Sequence, residues 1–194
     1  LGQLDLDLEG IPSAALSAHK VGGPVGVGAL VLDRDLSVRP LVHGGGQERD
    51  VRSGTLDAAG IAGFAAALAA DKPDLAPLRD RLIDGVRRVV PDAVLNGDPV
   101  DRLPNNAHFS FPGCPGDALL MLLDAAGVAV STGSACTAGI PQPSHVLMAM
   151  GADEPLARSS LRFSLGWNST DDDVAALLTA LPAVVERARR AGGM

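Results

Sequence analysis

The chain has 194 residues, 46% of them hydrophobic, so it can bury a sizeable core as one domain or two small ones. Sixteen basic residues against 23 acidic ones leave a net charge of −7, which argues against a nucleic-acid footprint and leaves a basic partner surface open. Apolar runs such as Ala118–Leu123 fall far short of the roughly 20 residues that span a bilayer, so a soluble chain with no membrane partner is expected.

Leu1–Leu8, LGQLDLDL, alternates like a strand and reads as an internal stretch of a longer chain. In Ala14–Gly28, AALSAHKVGGPVGVG, Ser17, His19 and Lys20 run into four glycines. Backbone this free can approach and turn around a flat, phosphorylated cofactor, with Lys20 placed to form a Schiff base and Ser17 and His19 to donate to a phosphate. An ordinary surface lysine before a Gly/Pro turn is the competing reading. Ala29–Leu32 continues as a short buried strand ended by a charged turn at Asp33–Asp35. His43–Thr55 is too rich in glycine and charge for a core element and reads as a flexible surface loop.

Asp57–Ala70 is expected to be helical, with Ile61, Phe64 and Leu68 as one apolar stripe, and Lys72-Pro73 ends it. A second helix, roughly Asp74–Val90, sets Leu75, Leu78, Leu82, Val86 and Val89 against arginines, which places a domain boundary near Asp71. Ala93–Leu95 and Ala107–Phe111 read as strands, Gly116-Asp117 opens a helix through Ala126, and Val128–Val130 reads as another strand. That strand delivers Ser131–Cys136, STGSAC, whose small residues leave the Cys136 thiol exposed to act as a nucleophile. A short helix follows at Ser144–Met150, and Leu161–Leu165 is a strand with Arg162 and Ser164 on one face. Thr170 and Asp173 form a capping box for the last helix, which Pro182 should kink or restart, with Ala191–Met194 beyond its end. From residue 71 on, the pattern predicts helices covering one face of a mostly antiparallel sheet.

SAHK with GGPVGVGALV, HGGGQERDVRSGT, STGSACT and SSLRFSLG occur in this order. With these four motifs in register over nearly its whole length, the chain resembles the carboxy-terminal half of a pyridoxal-phosphate-dependent cysteine desulfurase of the NifS/IscS-like branch. The resemblance implies an α/β chain of PLP fold type I. Residues 1–70 would be a remnant of the large cofactor domain, with the Schiff-base lysine and a dimer-crossing loop, and residues 71–194 the small domain with the cysteine loop. It implies that Lys20 holds pyridoxal 5'-phosphate and acts as a base, that Cys136 takes sulfur from L-cysteine as a persulfide, and that Arg162 clamps the substrate carboxylate. Ser17, His19 and Thr55 would contact the cofactor phosphate, Thr55 from the neighbouring subunit of a homodimer through the tetrad Arg52–Thr55. Asp50 stands where the pattern expects glycine. An iron–sulfur scaffold or another sulfur-acceptor protein is the implied partner, although the short end after the last helix departs from members with a docking tail.

Cys114 and Cys136, without a basic-then-apolar leader, point to a reducing cytoplasm and to no disulfide. No CxxC pair or His/Cys cluster suggests a metal, and His108, His145 and Cys114 read as structural. The competing functional readings are a non-catalytic structural or sulfur-relay fragment and another PLP-dependent lyase or aminotransferase. A mobile cysteine loop argues against the latter.

Overall fold

The computed structural model describes residues 8–132 and 142–193, in two compact units, Leu1–Lys72 and Pro73–Met194. The expected strand at Leu1–Leu8 lies outside the described residues except for Leu8. Among the described residues, no helix is long and apolar enough to cross a membrane.

The first unit is built on an antiparallel ribbon, β1 (Ser13–Ser17) and β2 (Gly28–Leu32), paired from Ser13↔Leu32 to Ser17↔Gly28. β2 forms where expected, but it is not buried: Leu30 is 54% and Val31 38% exposed. Two strands alone cannot cover both of their faces, so apolar side chains remain in solvent. α1 (Ala58–Ala69) starts at Asp57, whose carboxylate accepts from the Gly60 N–H at 3.0 Å. Its expected stripe is covered only at Phe64, with Ile61 44% and Leu68 37% exposed. Ala18, Ser53, Gly60 and Phe64 are the buried residues described in this unit.

The second unit carries the core. Its sheet has the order β3-β4-β6-β5, with every pair antiparallel: β3 (Val94–Leu95), β4 (Asn106–Ser110), β5 (Ser131–Thr132) and β6 (Ser160–Ser164). Ala107, Phe109, Leu161 and Phe163 point to one face, where they pack with residues of α2 (Ala76–Val89), α3 (Gly116–Ala125) and α6 (Asp171–Gly192). Phe109, Phe111 and Phe163 form an aromatic triangle with ring centroids 6.2 to 6.4 Å apart. Asn106, His108, Arg162 and Ser164 lie on the opposite face, as the period of two requires.

Several expectations need correction. The strand read at Val128–Val130 is displaced to Ser131–Thr132. Gly127, at φ 77°, closes α3 with its N–H on Asp124 O, and the Val128 N–H returns to Leu123 O, so the chain is still bound to the helix there. Pro182 does not restart α6, which runs through it as one helix. Leu177, Leu181, Val184, Val185 and Ala188 bury one continuous stripe around it, which outweighs the roughly 3 kcal/mol cost of an interior proline. That helix runs to Gly192, two residues further than expected. Arg79 is not opposite the apolar face of α2 but buried, donating to the carbonyls of Arg102 and Leu103 at 3.4 and 3.0 Å and to Asp80. A short helix went unforeseen, α5 (Glu154–Arg158), although Asp153 as N-cap and Pro155 in its first turn carry the signal. The other short helix, α4 (His145–Ala149), starts from Ser144 and is followed by Gly151 at φ 98°. Thr170 and Asp173 make the full capping box of α6.

Candidate cofactor and substrate site

Lys20 sits in a single 3-10 turn, Ala18–Val21, that leaves the end of β1. Gly22 closes the turn at φ 84°, and the Gly23 N–H donates to Ala18 O at 2.9 Å while the Ala18 N–H donates to Val27 O at 3.1 Å. This cross-bonding fixes the backbone on both sides of the lysine. Ala18 is fully buried beneath the turn, whereas Ser17, His19 and Lys20 are exposed. The Ser17 hydroxyl does not cap the turn, and Lys20 has no hydrogen-bond partner among the described residues.

The segment His43–Thr55 is a largely exposed loop, closed by hydrogen bonds of its own. Its ends are tied: the Ser53 N–H donates to Val42 O at 3.2 Å, the Gly46 N–H to Ser53 Oγ at 3.3 Å, and the Gly54 N–H to Gln47 Oε1 at 2.9 Å. Glu48, Arg49 and Asp50 are all left-handed, at φ 51°, 57° and 63°. Asp50, the residue that replaces an expected glycine, therefore holds a conformation that favours glycine. Thr55 leaves this closed loop exposed.

Arg162 occupies the middle of β6, opposite His108 of β4 on one side and Ser131 of β5 on the other. Its Nε is buried and has no hydrogen-bond partner among the described residues. A guanidinium nitrogen taken out of water without an acceptor is costly, so this orphaned donor marks a place where an acceptor would be favourable. The Asn96 side-chain amide joins His108 Nδ1 and Ser110 Oγ, each at 3.0 Å. Burial, then the charges of Arg162 and Arg102, hold the His108 imidazole below its ordinary range, so it is neutral at pH 7.

Cys136 lies outside the described residues, as does all of 133–141. The strand that leads to it is described: Ser131, the first residue of STGSACT, is the cross-strand partner of Arg162. The structure thus brings Arg162 and the start of the cysteine segment onto neighbouring strands of one sheet. Ser17, His19, Lys20 and Thr55 belong to the other unit. Cys114 is buried, with Sγ 3.7 Å from Val185 O, and burial raises its thiol pKa. A groove of about 310 Å³ between the end of α2 and α6, lined by Val89, Pro91, Pro182 and Arg189, contains none of the candidate residues.

Sequence reasoning missed His108 and Ser131 as the cross-strand partners of Arg162, and Asn96 as the partner of His108. The phase was available, since Ala107-His108-Phe109 and Leu161-Arg162-Phe163 each set one polar residue between two apolar ones. The register that makes them partners was not.

The family model described as aminotransferase class-V matches residues 2–177. The chain belongs to the class-V aminotransferase family. Among curated members, it is 56% identical over 202 residues to an IscS-like cysteine desulfurase of Mycobacterium tuberculosis, covering 98% of this chain and 51% of that protein. It is 42% identical to a cysteine desulfurase IscS of Clostridium botulinum, covering 97% and 50%. Two solved structures of family members share its fold. A NifS-like protein superposes with a TM-score of 0.81 at 34% identity, and one from Rickettsia africae with 0.82 at 30%, each over at least 95% of this chain and about half of the other. The α/β reading and the resemblance to the NifS/IscS-like branch are borne out. The chain spans about half the length of the curated relatives it matches.

Proposed function

We propose that this chain forms part of a cysteine desulfurase that uses pyridoxal phosphate to take sulfur from L-cysteine. The observation that carries this reading is Arg162, without a partner for its buried Nε among the described residues and set beside Ser131 at the start of the segment bearing Cys136. The residues present fit a flat phosphorylated cofactor: an exposed lysine amine without a hydrogen-bond partner among the described residues, a serine hydroxyl that does not cap the turn, and a turn closed by Gly22, where backbone can come close. When bound, that group supplies an electron sink.

In this reading, Lys20 holds the cofactor and then moves the substrate Cα proton on its Nζ. Ser17 and His19 donate to the phosphate, and Thr55 donates to it from the neighbouring subunit of a homodimer. The planar guanidinium of Arg162 grips the substrate carboxylate with two parallel bonds, which fixes where the substrate sulfur lies. Cys136 as thiolate attacks that sulfur. The new S–S bond leaves a persulfide on the enzyme, the substrate C–S bond breaks, and its Cβ takes a proton to give alanine. The persulfide then passes to an acceptor protein for iron–sulfur cluster or thio-cofactor synthesis, in the cytoplasm.

The test is visible absorbance on adding pyridoxal phosphate, with Lys20→Ala as control. It is run on the chain alone and on the chain mixed with the half of the M. tuberculosis relative that it does not match. A band lost in Lys20→Ala, together with alanine release that fails in Cys136→Ser, is the expected result. No band in either preparation would overturn the reading.

A further inference from the structure

His108 and Arg162 are cross-strand partners on one face of the sheet, where opposed Cβ atoms stand about 4.5–5.5 Å apart. The imidazole is held from the β3 side: Asn96 Nδ2 lies 3.0 Å from Nδ1, and the Asn96 N–H donates to His108 O at 2.8 Å. Nε2 remains. The charges around the ring can be taken element by element. β6 presents Arg162, and the β3–β4 connection presents Arg102, whose Nη2 is bound to Asn96 O at 2.8 Å while its Nε and Nη1 are buried without partners among the described residues. α2 contributes Arg79, paired with Asp80 at 2.7 Å, and α5 contributes Glu154 and Arg158, joined to each other at 2.8 Å. β5 offers the neutral Ser131. Among the described groups, the charges that act on His108 are thus the two guanidiniums of Arg162 and Arg102, with no carboxylate to oppose them.

We propose that His108 and Arg162 form a carboxylate-reading pair, in which an anion seated on Arg162 draws a proton from solvent onto the His108 imidazole. The inference rests on the reading of Arg162 as the carboxylate clamp and deepens it. A bound carboxylate cancels part of the field that keeps the imidazole neutral, so its proton affinity rises. Linkage makes the effect reciprocal: carboxylate binding tightens as pH falls through the His108 pKa of the liganded site and levels off below that of the empty one. His108 acts through Arg162 as a positioning residue, and a substrate that carries a carboxylate is taken up with a fraction of a proton.

The experiment is a histidine NMR titration of the full chain, with the His108 signal identified by its loss in His108→Gln. Arg162→Gln is expected to raise the His108 pKa by about half a unit to one unit, and Arg162→Lys, which keeps the charge, to leave it near wild type. Saturating propionate should produce a similar rise in wild type and none in Arg162→Gln. Equal His108 pKa values in wild type, Arg162→Lys and Arg162→Gln would overturn the pair. Saturable propionate binding with an unmoved His108 pKa would also overturn it, while leaving the clamp standing. Absence of any saturable propionate effect in wild type would sink the clamp and the pair together.

Discussion

A side chain at Gly28 would collide with Leu16: its Cβ would stand 2.6 Å from the Leu16 carbonyl oxygen. That carbonyl belongs to β1, one residue before Ser17, so the contact sets the spacing of the two strands that frame the Lys20 turn. Gly28→Ala must push the strands apart, at a cost of about 1–3 kcal/mol. The expected result is a weaker pyridoxal-phosphate absorbance with unchanged alkylation of Cys114 in the other unit. Wild-type absorbance in Gly28→Ala would show that the turn does not depend on this contact.

Asp50 is the third of three consecutive left-handed residues, at φ 63°. Glycine adopts this conformation without steric cost but loses more freedom on folding, so Asp50→Gly should lie within about 0.5 kcal/mol of wild type. Valine has no such tolerance, and Asp50→Val should destabilise the loop by about 1–2 kcal/mol. Proteolysis rates across His43–Thr55 distinguish the two: the valine variant should be cut faster and the glycine variant should not.

Cys114 should be nearly inert in the folded chain. It is 4% exposed, and burial raises its pKa, so little thiolate is available. In Cys136→Ser, iodoacetamide at pH 8 should label it more than about tenfold slower in buffer than in guanidinium chloride. Equal rates would mean that the core around Val185 opens readily.

His108 gives stability a pH dependence of definite sign. Its folded pKa is depressed by burial and by Arg162 and Arg102, so the unfolded chain binds the extra proton first. The stability it contributes is complete above the unfolded value of about 6.5 and is lost as pH falls through that value toward the folded one. His108→Gln should flatten the urea midpoint between pH 7 and pH 5. An unchanged slope would place the titrating group elsewhere.

What was legible in the sequence depended on whether the signal was local. Capping at Thr170 and Asp173, the α2 stripe of Leu78, Leu82 and Val86, and the glycine stop at Gly127 are short-range, and each appears in the structure. Burial of β2 was misread because an apolar run shows what a strand prefers, not what is present to cover it. The restart read as one option at Pro182 fails because local backbone cost was weighed without the tertiary stripe on either side of it. In the candidate site, the residue types were visible, but the His108↔Arg162↔Ser131 row is a matter of register, set by strand pairing across about 30 to 50 residues of chain.

The partition at Lys72–Pro73 divides the burden of staying folded unequally. Nineteen buried residues form one cluster beyond it, while the described part of the first unit buries four. Heat or denaturant should therefore melt the lysine-bearing unit first and leave the arginine-bearing unit standing as an autonomous piece of protein. A trypsin cut at Lys72 is blocked by the proline that follows, yet a less particular protease acting there would release that piece whole. Arg162 would then sit in folded protein after the turn around Lys20 had melted.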